Sequence, residues 1–110
     1  WEEWGRLDRW YAEQFSYFID KMKKTKDIHG SLLDNTLILY GSSQSTNHNA
    51  RNCPLILAGG SNLGVKHGVF KKFHEKDERL SNLFVSMLNK IDIKTDSFSD
   101  STRKLSTSIL

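Results

Sequence analysis

Two short apolar runs, each ending in glycine, constrain the fold of this chain more than any other feature. The first run covers residues 36–40 and ends at Gly41, and the second covers residues 55–58 and ends at Gly59. Runs of this length that are rich in Leu and Ile are typical of strands buried on both faces. We therefore predict two adjacent parallel strands within an α/β fold, in which a mainly parallel sheet has flanking helices.

Two amphipathic helices accompany these runs. Apolar side chains recur at intervals of three and four residues in two stretches, which is the spacing of one helix face. The first stretch holds Trp4, Leu7, Tyr11, Phe15, Phe18 and Met22, and the second holds Leu80, Leu83, Phe84, Met87, Leu88 and Ile91. We expect both faces to lie in the core, with the second helix packed against the sheet. Residues 65–73 predict a short strand or hairpin, and the tail from Thr95 is expected to be irregular.

The composition limits the partners that this chain can have. There are 16 Lys and Arg against 13 Asp and Glu, and lysines gather at positions 21, 23, 24 and 26, where cations complement the end of the first helix. Because aromatic residues do not interleave with these lysines, we predict no nucleic-acid binding. No apolar run approaches the roughly 20 residues of a membrane span. The single cysteine, Cys53, forms no internal disulfide.

The predicted elements are too few for a closed core. A two-stranded sheet buried on both faces needs further strands beside it and helices above and below. We therefore expect residues 1–110 to be the C-terminal portion of a single larger α/β domain. The main partner would be the rest of the same polypeptide, upstream of Trp1.

The loop after the first run is the predicted functional site. Open α/β sheets place their chemistry just beyond the carboxyl ends of their strands, and this loop contains Ser42, Ser43, Asn47, His48 and Asn49. An imidazole there can ligate a divalent metal ion or transfer a proton, so His48 is the leading candidate. A hydrolytic metal centre also needs hard carboxylate ligands, which the loop lacks. Most ligands of such a centre would therefore come from other segments. The alternative is that His48 is an ordinary polar side chain on the protein surface.

Two further histidines form a second, weaker pair of candidates. A bend at Gly68 could bring His67 and His74 together on a metal ion, and the alternative is two solvated side chains. A Ser-His-Asp triad has no supporting nucleophile elbow, because the chain contains no G-x-S-x-G sequence. A nucleotide-binding domain is a further, weaker functional alternative, because the sequence contains neither a recognisable phosphate-binding loop nor an acidic cluster.

Several ordered segments resemble the C-terminal part of the HXXSHH-motif proteins, a bacterial family of unknown function. The similar segments are residues 10–18, 33–42 and 51–60 together with His48, and residues 66–68, 83–88 and 98–102 continue the resemblance in the same order. The family is similar to alkaline-phosphatase and sulfatase-like proteins. The resemblance therefore implies an alkaline-phosphatase-like sheet, with His48 in a loop that supplies metal ligands.

This resemblance also implies a function and a location. It favours an exported, periplasmic or extracellular protein, and a metal-dependent hydrolase that acts on small phosphate or sulfate esters. The histidine-rich motif that names the family would lie upstream of Trp1, so we expect the 110-residue chain alone to be inactive. Family members commonly carry an acidic or Met-containing sequence where this chain has Ser43 and Gln44. The alternative function is a non-catalytic binding or structural domain without a complete metal site.

Overall fold

A computed structural model describes residues 2–45, 48–49, 51–73, 78–105 and 110 of the chain. Its regular elements follow in the order α1 (Glu2–Lys24), β1 (Lys26–Asp27), β2 (Gly30–Ser31), β3 (Leu37–Gly41), β4 (Leu55–Gly59) and α2 (Leu80–Lys90). Short 3₁₀ turns lie at Leu32–Asn35, before β3, and at Ser61–Leu63, after β4. The two predicted helices and the positions of the two predicted strands are confirmed. None of the described helices combines the length and apolar character that a membrane crossing requires.

The predicted parallel arrangement of the two long strands is wrong. β3 and β4 pair antiparallel, with Leu37 opposite Gly59 at one end and Gly41 opposite Leu55 at the other. A parallel pair needs a crossover that carries the chain back along the sheet, usually through a helix. The described residues of the connecting loop, residues 42–54, form turns and irregular structure instead. The second strand therefore returns beside the first, and the mainly parallel, alkaline-phosphatase-like sheet is not what the chain forms.

The two helices lie on opposite faces of this hairpin. The ring of Phe15 in α1 stacks on the ring of Tyr40, with the centroids 4.2 Å apart and the planes inclined by 11°. Because strand side chains alternate between faces, Leu37 points away from Tyr40. It lines a cavity of about 450 Å³ together with side chains of α2, among them Phe84 and Met87. The hairpin is therefore the middle layer between α1 and α2.

Few apolar side chains are buried in the described part of the chain. The buried hydrophobic residues there are Val65 and Val85, whereas α1 contains no buried residue at all. Trp4 in α1 is 69% exposed and Trp10 is 52% exposed. The expectation that the apolar face of the first helix lies in the core is therefore wrong, because only its C-terminal half reaches the hairpin and the adjoining 3₁₀ turn.

The segments on either side of α2 are irregular. Residues 65–73 contain no strand, so the predicted short strand or hairpin there is wrong. The described tail, residues 95–105, is irregular, as predicted, and contacts α2 at a few points. The ring of Phe98 meets that of Phe84 edge to face at 5.7 Å, and the backbone N–H of Leu105 donates to Ser86 Oγ at 2.8 Å. The tail is therefore held by isolated anchors.

Candidate functional site

The loop between β3 and β4 is closed by its own hydrogen bonds. Ser42 Oγ donates to the carbonyl of Gln44 at 2.6 Å and accepts from the N–H of the same residue at 3.2 Å. Further along, the N–H and Oγ of Ser45 both donate to the carbonyl of Asn49, at 2.7 and 3.2 Å. The N–H of Arg51 donates to Asn49 Oδ1 at 3.0 Å. Side chains of the predicted site therefore hold the loop in shape.

His48 lies within the turn that the Ser45 and Asn49 contacts close. Its backbone is left-handed, with a φ of 60°, and its side chain is exposed. Histidine enters the left-handed region several-fold more often than most residues other than glycine, and Asn52 in the same loop also has a positive φ, of 55°. The predicted lining residues Ser42, Ser43 and Asn49 share the loop and are also exposed. The fourth predicted lining residue, Asn47, lies outside the described residues.

His67 belongs to a different part of the molecule. Its Nε2 forms a hydrogen bond with the carbonyl oxygen of Gly59 at 2.8 Å. Gly59 pairs with Leu37, at the end of the hairpin opposite to the His48 loop. Since four strand steps separate the two ends, they lie about 13 Å apart. The structure therefore does not bring His67 and His48 together, and His74 lies outside the described residues.

A complete divalent-metal centre is not present among the described residues. No three His, Cys, Asp or Glu side chains in that part of the chain could hold a metal ion together. The described side chains at the turn of the loop are hydroxyls and amides around one imidazole, whereas hydrolytic divalent metals are held by imidazoles together with carboxylates. This donor set does not form a metal centre by itself; the described loop offers two strong ligands, His48 at the turn and Cys53 next to β4.

A mixed-charge cleft lies where α1 ends. It encloses about 760 Å³ between the last turns of α1 and the first 3₁₀ turn. Its lining includes three lysines and two aspartates, Lys23, Lys24, Lys26, Asp20 and Asp34. Lys24 Nζ donates to Asp20 Oδ2 at 2.6 Å, so one cation is already paired across an exposed helix turn. Near balance of charge leaves this cleft without a strong preference for anions or cations.

A buried polar cluster joins α2 to the tail, and none of the sequence predictions includes it. Asn82 is fully buried; its Oδ1 accepts from the N–H of Thr102 at 2.9 Å and from the N–H of Arg103 at 3.3 Å. Its Nδ2 donates to Glu78 Oε1 at 2.6 Å, and Arg103 Nη2 pairs with Glu78 Oε2 at 2.8 Å. The Glu78 side chain is only 6% exposed. We call these residues, with Ser86, the α2 clamp, because they fasten the tail to the helix.

A sequence signal for the α2 clamp exists. Glu78, just before α2, and Asn82 and Ser86 within it recur every fourth residue, which is the spacing of one helix face. Where such a polar stripe is buried, it indicates hydrogen bonds to another segment, because buried polar groups need partners. The clamp is a structural device and holds no group suited to catalysis beyond its paired carboxylate.

Comparison with known proteins identifies no relative. No protein-family model, curated protein or solved structure matches the chain. The function is therefore argued from the surfaces and side chains described above.

Proposed function

We propose that this chain is a non-catalytic binding or structural module that docks on protein through α1. The observation that carries the proposal is the exposed apolar surface of that helix. We call this surface the free face of α1; it consists of six large side chains that are all more than 40% exposed, Trp4, Leu7, Trp10, Tyr11, Tyr17 and Phe18.

The free face runs along most of the helix, and its arc also contains the polar residues Glu3, Gln14 and Lys21. At 100° per residue, its six side chains fall within an arc of about 140°. The neighbouring arc holds Phe15, Ile19 and Met22, which are partly buried, and Phe15 stacks on Tyr40 of the hairpin. One side of α1 is thus attached to its own domain while the adjacent side is left in water.

The free face is as large as the largest apolar patch of a typical soluble monomer, which covers about 300–600 Å² and is often functional. A buried aromatic side chain covers about 150–250 Å², so five aromatics that are about half exposed leave roughly 500 Å² of apolar surface in water. Soluble monomers rarely expose contiguous apolar patches larger than a few hundred Å² without a use for them. Tyr and Trp are also the residue types most enriched at protein interfaces.

Photo-crosslinking in cells that make the protein tests this proposal. A benzophenone side chain at position 10 replaces Trp10 within the free face, and the same group at position 9 replaces Arg9 about 100° around the helix. Arg9 is solvent-exposed and pairs with Glu13 at 2.8 Å, and this pairing raises the pKa of the guanidinium above its ordinary value. We expect one discrete protein adduct from position 10 only. The absence of such an adduct, or equal adducts from both positions, would contradict docking through this face.

A second proposed function is metal-dependent hydrolysis of small phosphate or sulfate esters by an exported HXXSHH-family protein. The observation that favours it is the exposed imidazole of His48 in a hydrogen-bonded loop, since imidazole is the commonest metal ligand among protein side chains. The resemblance in sequence supports the same proposal. His48 would supply one ligand, and the remainder would come from outside the described residues.

Metal analysis tests this second function. His48→Ala in the natural protein should lower the bound divalent metal and ester hydrolysis together, while His29→Ala, at an exposed turn residue, should leave both unchanged. Equal metal content in the wild type and in His48→Ala, or no metal in either, would refute a role for His48 as a ligand.

A further inference from the structure

We infer that the free face of α1 binds a second copy of this chain, with the two α1 helices antiparallel. The inference rests on the proposed function, since it names the partner of the surface assigned there. It is carried by the placement of charge along the helix and by the size of the free face.

Opposite charges stand at the two ends of the free face. Glu3 and Lys21 are 18 residues apart in the sequence, which is five full turns at 100° per residue, so both lie on one line along α1. That line falls inside the arc of the free face. Both side chains are exposed, and Lys21 Nζ sits 5.3 Å from the centre of the Tyr17 ring.

This placement selects the antiparallel orientation. In a two-fold symmetric antiparallel pair, Glu3 of each copy meets Lys21 of the other, which forms two equivalent ion pairs. A parallel pair would set Glu3 against Glu3 and Lys21 against Lys21, and like charges in contact are unfavourable. The opposed helix dipoles also favour the antiparallel pair.

The same alignment brings apolar side chains together. When position 3 faces position 21, position 7 faces 17 and position 10 faces 14, so Leu7 meets Tyr17 and Trp10 meets Gln14 near the symmetry axis. Each contact occurs twice in an isologous interface. A central Trp surrounded by other aromatic side chains is typical of a binding hot spot, in which a few residues supply most of the binding free energy.

The available area predicts a weak, reversible dimer. With roughly 500 Å² of apolar surface from each copy, the pair buries about 1,000 Å² in total, below the range of about 1,200–2,000 Å² that stable interfaces bury. The dimer should therefore dissociate on dilution within the range of ordinary laboratory concentrations.

Sedimentation equilibrium with tryptophan fluorescence tests the inference. The tryptophans of this sequence lie at positions 1, 4 and 10, and two of them, Trp4 and Trp10, belong to the free face, so emission reports chiefly on that surface. We expect the apparent mass to rise from monomer to dimer with concentration, and the emission to shift to shorter wavelength over the same range. A monomer with unshifted emission at every concentration would overturn the inference.

Charge reversal tests the orientation. Lys21→Glu creates two like-charge contacts in the antiparallel dimer and should raise its dissociation constant about tenfold. Glu3→Lys should do the same, whereas the double variant Glu3→Lys with Lys21→Glu should restore the wild-type value. Lys94→Glu carries the same charge change at an exposed loop residue and should leave dimerisation unchanged. A double variant that stays as weak as the single variants would overturn the antiparallel arrangement.

The two proposals fail in different ways. If position 10 crosslinks in cells to a different polypeptide while the purified chain stays monomeric, docking through the free face stands and the second copy is ruled out as the partner. If neither a dimer nor any crosslinked protein forms, both proposals fall.

Discussion

Substitution of the buried amide at the centre of the α2 clamp is expected to destabilise this protein more than any exposed polar change. Asn82 is fully buried and serves two backbone N–H donors and one carboxylate, those of Thr102, Arg103 and Glu78. Asn82→Ala removes this partner from all three groups. Thr102 and Arg103 are exposed residues whose N–H groups can bind water instead, and Glu78 keeps its ion pair with Arg103 at 2.8 Å. Because the loss of a hydrogen-bond partner at a buried position costs about 1–3 kcal/mol, we expect a loss in that range in the free energy of unfolding.

Urea unfolding followed by far-ultraviolet circular dichroism measures this loss. Since small domains have a total stability of about 5–15 kcal/mol, a change of this size should lower the urea midpoint visibly. The control is Asn62→Ala, because the Asn62 amide donates to Asn35 Oδ1 at 3.1 Å but is exposed. That change should cost about 0.5 kcal/mol or less. If the two variants lose equal stability, the clamp does not secure the fold.

Four further substitutions probe the backbone and the packing. Gly59→Ala should destabilise the chain by about 2 kcal/mol or more, because φ is 75° there and a Cβ would overlap the carbonyl of Thr36. Gly68→Ala should cost about 1 kcal/mol, because φ is 81° but the surrounding space is open. Thermal unfolding measures both changes. Phe84→Ala should cost about 2–3 kcal/mol in urea unfolding, since Phe84 is only half-buried. Phe15→Ala should speed hydrogen exchange throughout α1 by removing its stack on the hairpin.

The sequence predicts where the strands lie but not how they pair. Residues 36–40 and 55–58 are apolar at successive positions, so their pattern carries no preference for a parallel or an antiparallel neighbour. The connection was the deciding feature, because residues 42–54 show no helical periodicity and a parallel crossover usually needs a helix. The hydrogen bonds from Ser45 to Asn49 turn the chain back, and no simple composition rule foretells such a contact.

The candidate functional surfaces are likewise predicted only in part by the sequence. Periodicity identifies the apolar side of α1, yet it cannot tell whether that side meets the same domain or another molecule. His48 is a candidate from sequence alone because histidine is a chemically distinctive side chain, although its left-handed backbone is seen only in the folded loop. The spacing of Glu78, Asn82 and Ser86 is visible in the sequence, but the segment that they contact, the tail, is identified only by the folded structure.

The unusual distribution of buried groups links stability to binding. In the described part of the chain, the buried residues include Asn82 and Ser86 of the clamp but only Val65 and Val85 among hydrophobic ones, while the aromatics of the free face of α1 are exposed. Hydrophobic burial is the dominant favourable term in folding, so docking of the free face, as proposed, would add a contribution that the monomer lacks.

The melting temperature should therefore depend on protein concentration. A partner that binds only the folded state adds RT ln(1 + [L]/Kd) to stability, which is about 2.7 kcal/mol at a hundredfold excess over Kd. If the partner is a second copy, the chain itself is the ligand, and its melting temperature should rise across a series of concentrations. Trp10→Ala should abolish that rise while leaving the melting temperature of the dilute protein nearly unchanged, since the removed ring is half-exposed in the monomer. A melting temperature of the wild type that does not change with concentration would show that the folded chain is not stabilised by binding a second copy through the free face.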